Sequence, residues 1–164
     1  MPFHKVVFYN IEWRNHMSSL VSQTPPACAE RALQYFSQRL AFETDCSDVY
    51  TCQQQGNVDF VLVDVRSEAA FATLHLPGAI NIPHRLMDAT LLSVYPPETL
   101  FVIYCAGPHC NGVHRAAVNL SKLGYMVKEM IGGVTGWRDE GLPMHTKTLA
   151  IDKPSDPVNC GCNI

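Results

Sequence analysis

The chain has little charge, no basic cluster and no long apolar segment near its start. Lys and Arg number 12 and Asp and Glu 15 in 164 residues, giving a net charge of −3. A nucleic-acid or anionic-membrane surface needs clustered Lys and Arg, so neither partner is expected. The apolar run from Val6 to Tyr9 is far below a signal-peptide core or a membrane span, which points to a cytoplasmic protein. Internal repeats and low-complexity stretches are absent, and so is the C-x-x-C spacing of common zinc sites. Cysteine is not scarce: seven occur, at positions 28, 46, 52, 105, 110, 160 and 162. Their odd number, and an apolar content of 47% that suffices for a core, argue against a disulfide scaffold.

The length fits one domain with a full core. Residues 1–41 read as an arm followed by an amphipathic helix packing on the domain. Thr24-Pro-Pro is a helix start, and Ala32, Leu33, Tyr35, Phe36 and Leu40 recur at helical spacing between Ala27 and Ala41. "FETDCSDVYTCQQQG" then gives a short extended piece, a Thr44/Asp45 cap and a helix ending at Gly56. Cys28, Cys46 and Cys52 lie in these helical segments and are expected to act as small buried hydrophobes.

A repeating grammar follows. "FVLVDVR" (60–66) has the continuous β-branched pattern of a strand buried on both faces. "SEAAFATL" is a short capped helix, "GAINIP" (78–83) a second strand, and "HRLMDATLLSVY" looks helical. "TLFVIYC" (99–105) is a third buried strand, "NGVHRAAVNLSKLG" a helix ended by Gly124, "YMVKEMIGG" a further strand and "VTGWRDEG" a closing helix. Strands alternating with helices predict an α/β domain on a mostly parallel sheet, over residues 42–146. The tail from Lys147 to Ile164 has no period and contains Cys160-Gly-Cys162; an extended or mobile segment is expected there.

In such sheets, ligands bind at the carboxyl ends of strands, in loops that enter helices. Cys105 closes the strand "TLFVIYC", and the loop "AGPHCNG", residues Ala106, Gly107, Pro108, His109, Cys110, Asn111 and Gly112, leads into the next helix. That arrangement aims backbone N–H groups and a helix N-terminus toward one spot. Gly107 and Gly112 are expected to supply the positive φ values of such a cradle, and Pro108 to stiffen it. A thiol among converging N–H dipoles has a lowered pKa and is nucleophilic near neutral pH. The residues therefore predict an activated Cys105 in an anion-sized cradle.

Two stretches carry a resemblance. "FVLVDVRSEAAFATLHLPGAINIP" resembles the front half of a rhodanese-like domain, with its D-x-R after a buried strand and its H-x-P-G-A-x-x-x-P. "FVIYCAGPHCNG", followed by "AAVNLSKLGY", "VKEMIGGVTGWRDEGLPM" and their G-Y, G-G-x-x-x-W and G-x-P signatures, resembles the back half. The likeness runs from about Phe42 to Met144 in the family's order. It implies a three-layer α/β/α fold around a central, mostly parallel five-stranded sheet. It also implies that Cys105 takes a sulfane sulfur from a donor such as thiosulfate or a persulfide. Cys105 would then pass it to a thiol acceptor or acceptor protein, with no metal or organic cofactor. A backbone N–H ring suits the anionic persulfide terminus, and attack of thiolate on sulfur is the step of thiol–disulfide exchange.

The loop also departs from the family. A common pattern there is C-x-x-G-x-R; here the glycine comes one place early, Cys110 holds the fifth place, and the loop is about two residues longer. Related phosphatase and arsenate-reductase branches enlarge the loop to admit an oxyanion, but they rely on a loop arginine, and none lies between Cys105 and Gly112. Arg115, on the following helix, is expected to point elsewhere, and His109 supplies positive charge only when protonated. Cys110 has three readings: it resolves a Cys105 persulfide or sulfenate as an internal disulfide, carries sulfur itself, or packs under the helix. A metal site built from Cys105, His109, Cys110, Cys160 and Cys162 matches no common zinc spacing. Asp64 and Arg66 are expected to form a paired, hydrogen-bonded support and His75 to anchor its loop, with Trp137 and Gly132-Gly133 as packing and turn positions.

Overall fold

The computed structural model describes residues 19–146. Residues 1–18 and the tail with Cys160 and Cys162 lie outside the described residues. The chain divides into two units, Met1–Tyr35 and Phe36–Ile164. In the first, Ser22 and Gln23 turn back onto the Ser19 carbonyl. Helix α1 (Ala29–Phe42) starts in this unit and ends in the second. It starts later than the sequence pattern predicts. A residue before proline is biased away from the α region, so Thr24 and Pro25 stay out, and Cys28 O accepts the first helical bond, from Ala32 N at 3.0 Å. Cys28 is consequently exposed, against expectation, whereas Cys46 is buried and Cys52 half-buried. No residue of α1 is buried.

The second unit is built on a five-stranded sheet. Its strands are β1 (Glu43–Thr44), β2 (Phe60–Asp64), β4 (Ile80–Asn81), β5 (Leu100–Tyr104) and β6 (Met126–Met130). They lie in the order β1-β6-β5-β2-β4, and every pairing is parallel. Along β5 the side chains alternate between two apolar layers. Phe101, Ile103 and Cys105 pack with Val113, Ala116 and Leu120 of α5 (Gly112–Lys122). Val102 and Tyr104 pack with Cys46 and Val49 of α2 (Cys46–Gln55) and with Val134 and Trp137 of α6 (Gly133–Asp139). A strand apolar on both faces needs a helical layer on each, and the predicted α/β/α sandwich is the result. No helix among the described residues is long and apolar enough to cross a membrane.

Local chemistry sets most boundaries. Asp45 caps α2 by accepting from Asp48 N at 2.7 Å, and Gly56, at φ +66°, ends it. Ser67 caps α3 (Glu68–Thr73) by accepting from Ala70 N. The predicted helix over 84–95 is broken into a 3-10 turn at His84–Leu86 and the short α4 (Ala89–Leu92). The cause is Asp88, whose carboxylate accepts from Leu91 N at 2.8 Å and starts a new helix instead of continuing one. An antiparallel pair, β3 (Leu74–His75) with β7 (His145–Thr146), was not foreseen, because two-residue strands carry no readable period.

Candidate active site

Strand β5 ends at Tyr104, and α5 begins at Gly112, so the predicted strand–loop–helix is present with Cys105 as the first residue past the strand. Cys105, Ala106, Cys110 and Gly112 are buried, Gly107 is half-buried, and Pro108, His109 and Asn111 are exposed. The loop therefore has an inner wall that holds both thiols and an outer rim at Pro108 and His109. Cys105 and Cys110 are joined in a disulfide, their Cα atoms 6.2 Å apart. That separation is ordinary for the bond.

Two contacts fix the loop from below. Val134 N donates to Cys105 O at 3.0 Å, and Thr135 N donates to Ala106 O at 2.9 Å. The first amides of α6 thus bind the loop's first two carbonyls, which turns them away from the opposite side. Close approach is what the glycines provide. A Cβ on Gly133, which sits at φ +57°, would collide with Cys105 O. A Cβ on Gly107 would overlap Thr135 Oγ1. Neither Gly107 nor Gly112 has the positive φ expected from the sequence. Beside the loop it is Gly132 and Gly133 that have positive φ, and Gly107 is required for space. Cys46 supports the same turn: its thiol donates to Ile131 O at 3.5 Å, and burial, then Glu140 and Asp45, push its pKa up to about 12.

The loop amides divide into two groups. Cys110 N donates to Gly107 O at 3.0 Å, closing a tight turn, and Pro108 has no amide hydrogen. Among the described residues, the amides of Ala106, Gly107, His109 and Asn111 donate to no other backbone carbonyl. Beside the loop, His84, Arg85, Asn111, His114, Arg115 and Asn119 line a surface cleft. Arg115, on α5 and outside the 106–112 loop, thus lines the same cleft as the loop residue Asn111. Burial first, then the charges of Arg115 and Arg85, hold the His84 pKa below its ordinary value.

Behind the thiol lies a buried polar network. Asp64 and Arg66 pair with Nη2 to Oδ2 at 2.6 Å and are 0% and 2% exposed, as predicted for a support role. Tyr104 is the member that the sequence reading missed. Its hydroxyl accepts from Leu76 N at 3.2 Å and feels the charge of the Asp64 carboxylate. Burial, then the Asp64 carboxylate, push its phenol above the ordinary range. His75 anchors its loop as expected, with Nδ1 2.8 Å from Phe71 O and its ring stacked on Phe71. Trp137 is fully buried and donates from Nε1 to Pro143 O at 2.8 Å. Thr135 was also missed; in sequence it is one hydroxyl within a helical stretch. No group of three or more His, Cys, Asp or Glu among the described residues is placed to hold a metal ion.

Several known proteins are similar to this chain. A transcriptional regulator of the HTH type from Mycobacterium tuberculosis, Rv0324, is 35% identical over 86 residues, covering 52% of this chain and 38% of that protein. The chain thus spans well under half of that regulator's length. A protein named sulfurtransferase from Allochromatium vinosum is 31% identical over 87 residues, 52% of this chain and 78% of that one. Among solved structures, the BH2092 protein of Bacillus halodurans superposes with a TM-score of 0.69 at 33% identity, over 71% of this chain and 85% of that chain. The sequence profile of the rhodanese-like domain matches residues 46–140, more than half of the chain, and on that match the protein belongs to the rhodanese-like domain family.

Proposed function

We propose that this chain is a sulfurtransferase in which Cys105 carries the sulfur. The supporting observation is a cysteine just past the central strand β5, in a loop whose first two carbonyls are tied to α6 while, among the described residues, the amides of Ala106, Gly107, His109 and Asn111 have no backbone acceptor. In the reduced form, the Cys105 thiolate attacks the outer sulfur of thiosulfate. The S–S bond breaks, sulfite leaves with the electron pair, and Cys105 becomes a persulfide. The amides stabilise the anionic terminal sulfur, and attack by a thiophile on that sulfur returns the thiolate. The relative named sulfurtransferase makes this reading the natural one within the family.

The loop composition favours sulfur over phosphate. A transferring phosphoryl group needs a fixed cation at its oxygens, and the 106–112 loop contains no arginine. One observation supports a second reading, a sulfur- or redox-sensing module: the Rv0324 relative is a transcriptional regulator. Turnover distinguishes the two. Reduced protein given thiosulfate and cyanide should form thiocyanate catalytically. Rapid alkylation should trap one sulfur, about 32 Da, on Cys105, as expected for thiolate attack on sulfane sulfur. Thiocyanate formation that persists in Cys105→Ser would falsify the assignment. Loading without turnover would favour the sensing module.

A further inference from the structure

We propose that Cys110 is a second catalytic residue that converts the Cys105 persulfide into hydrogen sulfide, making the protein a dithiol-dependent reductase of sulfane sulfur. The inference rests on the reading of Cys105 as the sulfur carrier and adds a reaction to it. Its basis is the bond that joins Cys105 and Cys110, with their Cα atoms 6.2 Å apart. Among the described residues, the remaining cysteines, Cys28, Cys46 and Cys52, form no disulfide.

The loop holds Cys110 for this encounter. Cys110 N closes a turn onto Gly107 O at 3.0 Å, which folds the chain back toward its own start. That start is pinned, because Cys105 O and Ala106 O are bound by Val134 N and Thr135 N. Both ends of the loop are therefore fixed, and both thiols face its inner wall, 2% and 8% exposed. A cysteine that merely packed under α5 would not need its sulfur on that of Cys105. Position 110 immediately precedes Asn111 and the α5 N-terminus, where the helix dipole favours a thiolate.

The chemistry follows from which sulfur is in reach. Cys110 meets Cys105 Sγ, which in the persulfide is the inner sulfur. An external acceptor attacks the outer sulfur and removes it; Cys110 attacks the inner one. As the Cys110–Cys105 bond forms, the bond from Cys105 Sγ to the sulfane sulfur breaks. The electron pair leaves with the sulfane sulfur, which takes the proton given up by Cys110 and departs as HS⁻. The sulfane sulfur is reduced by two electrons, and the two cysteines are oxidised to the disulfide seen here. The amides of Ala106, Gly107, His109 and Asn111 that stabilise the persulfide terminus also stabilise the departing anion. Resetting the site requires an external dithiol, which reduces the bond by exchange and is released as its own disulfide. With thiosulfate as donor, the cycle consumes one thiosulfate and one dithiol and gives sulfite, sulfide and an oxidised dithiol.

The test uses full-length protein, reduced and freed of reductant, mixed with thiosulfate under anaerobic conditions without cyanide or added thiol. Wild type should release about one equivalent of sulfide as the alkylation-trapped adduct on Cys105 disappears, and the peptides bearing Cys105 and Cys110 should become disulfide-linked. Dithiothreitol should then make sulfide release catalytic. Cys110→Ser and Cys110→Ala should instead accumulate the Cys105 persulfide and release no sulfide until dithiothreitol is added. Two variants are used so that a defect peculiar to one side chain is recognised. Sulfide released without thiol at the wild-type rate by both variants overturns the proposal and leaves Cys105 as the sulfur carrier. A disulfide that forms with peroxide but not with thiosulfate overturns it as well and assigns the bond to oxidant sensing. If no form of the protein takes sulfur onto Cys105, the sulfurtransferase reading itself fails, and this proposal with it.

Discussion

Gly133→Ala tests whether α6 fixes the loop, because two separable penalties meet at this residue. Its φ of +57° lies in the left-handed region, which an alanine adopts at a cost of roughly 1–2 kcal/mol. Its missing Cβ would also collide with Cys105 O and lie 3.0 Å from Gly107 N and 3.2 Å from Ala106 C. These are backbone atoms, so no rotamer relieves the overlap and the loop itself must shift, adding about 1–3 kcal/mol. Gly56 is the control, since its φ is +66° and nothing lies within 4 Å of a Cβ built there. Gly56→Ala is therefore expected to cost about 1–2 kcal/mol and Gly133→Ala about 2–5 kcal/mol. With a urea m-value of about 2 kcal/mol/M, a gap of about 2 kcal/mol separates the two unfolding midpoints by about 1 M. A chemical readout accompanies it: the displaced atoms belong to residues 105–107, so Gly133→Ala should lose thiocyanate formation while Gly56→Ala retains it. Midpoints equivalent to within about 0.5 kcal/mol, together with full turnover in Gly133→Ala, would refute the view that this contact shapes the site.

Two further outcomes follow from the buried groups behind the loop. Tyr104→Phe removes the acceptor of Leu76 N, both residues being fully buried, and should destabilise the fold by about 1–3 kcal/mol in urea; a loss below about 0.5 kcal/mol would show that the phenol is dispensable. Cys46 has a folded-state pKa raised from 9.0 to about 12, so folding favours its neutral thiol. The associated stability is complete below pH 9 and lost as pH rises toward 12. Cys46→Ala should flatten that alkaline loss, and in the wild type iodoacetamide at pH 8 should label exposed Cys28 but spare Cys46. Comparable labelling of the two thiols in native protein would contradict the burial argument.

What could be read in advance was the part that neighbours in sequence determine. The run from Leu100 to Tyr104 is apolar on both faces, which requires two helical layers, and the Asp45, Ser67 and Gly56 boundaries depend on groups a few residues away. The position of Cys105 was legible for the same reason: a strand end, a glycine-bearing loop and a helix start are contiguous. The loop's support was not legible, because Gly133, Val134 and Thr135 act on residues far from them in sequence. Gly107 looked like a φ requirement and is in fact a steric one, a distinction that only the position of Thr135 reveals. Tyr104 was hidden within an apolar run, where a phenol cannot be told from a phenylalanine until its partners Leu76 and Asp64 are in place.

The missing arginine and the added cysteine are two aspects of one substitution. A common loop pattern in the family places arginine five residues after the nucleophile, where it would balance a buried anion. In this chain that place is Cys110, so no arginine of the 106–112 loop balances the charge on a Cys105 thiolate or persulfide. A buried anion without a guanidinium at that place is less stable than one facing it, and the difference favours any step that removes the charge. Formation of the Cys105–Cys110 bond is such a step, since the anion leaves as HS⁻ and a neutral disulfide remains. On the proposed chemistry, the residue in the place of the cation would compensate for its absence, and a loop that takes sulfane sulfur onto Cys105 would direct it toward reduction.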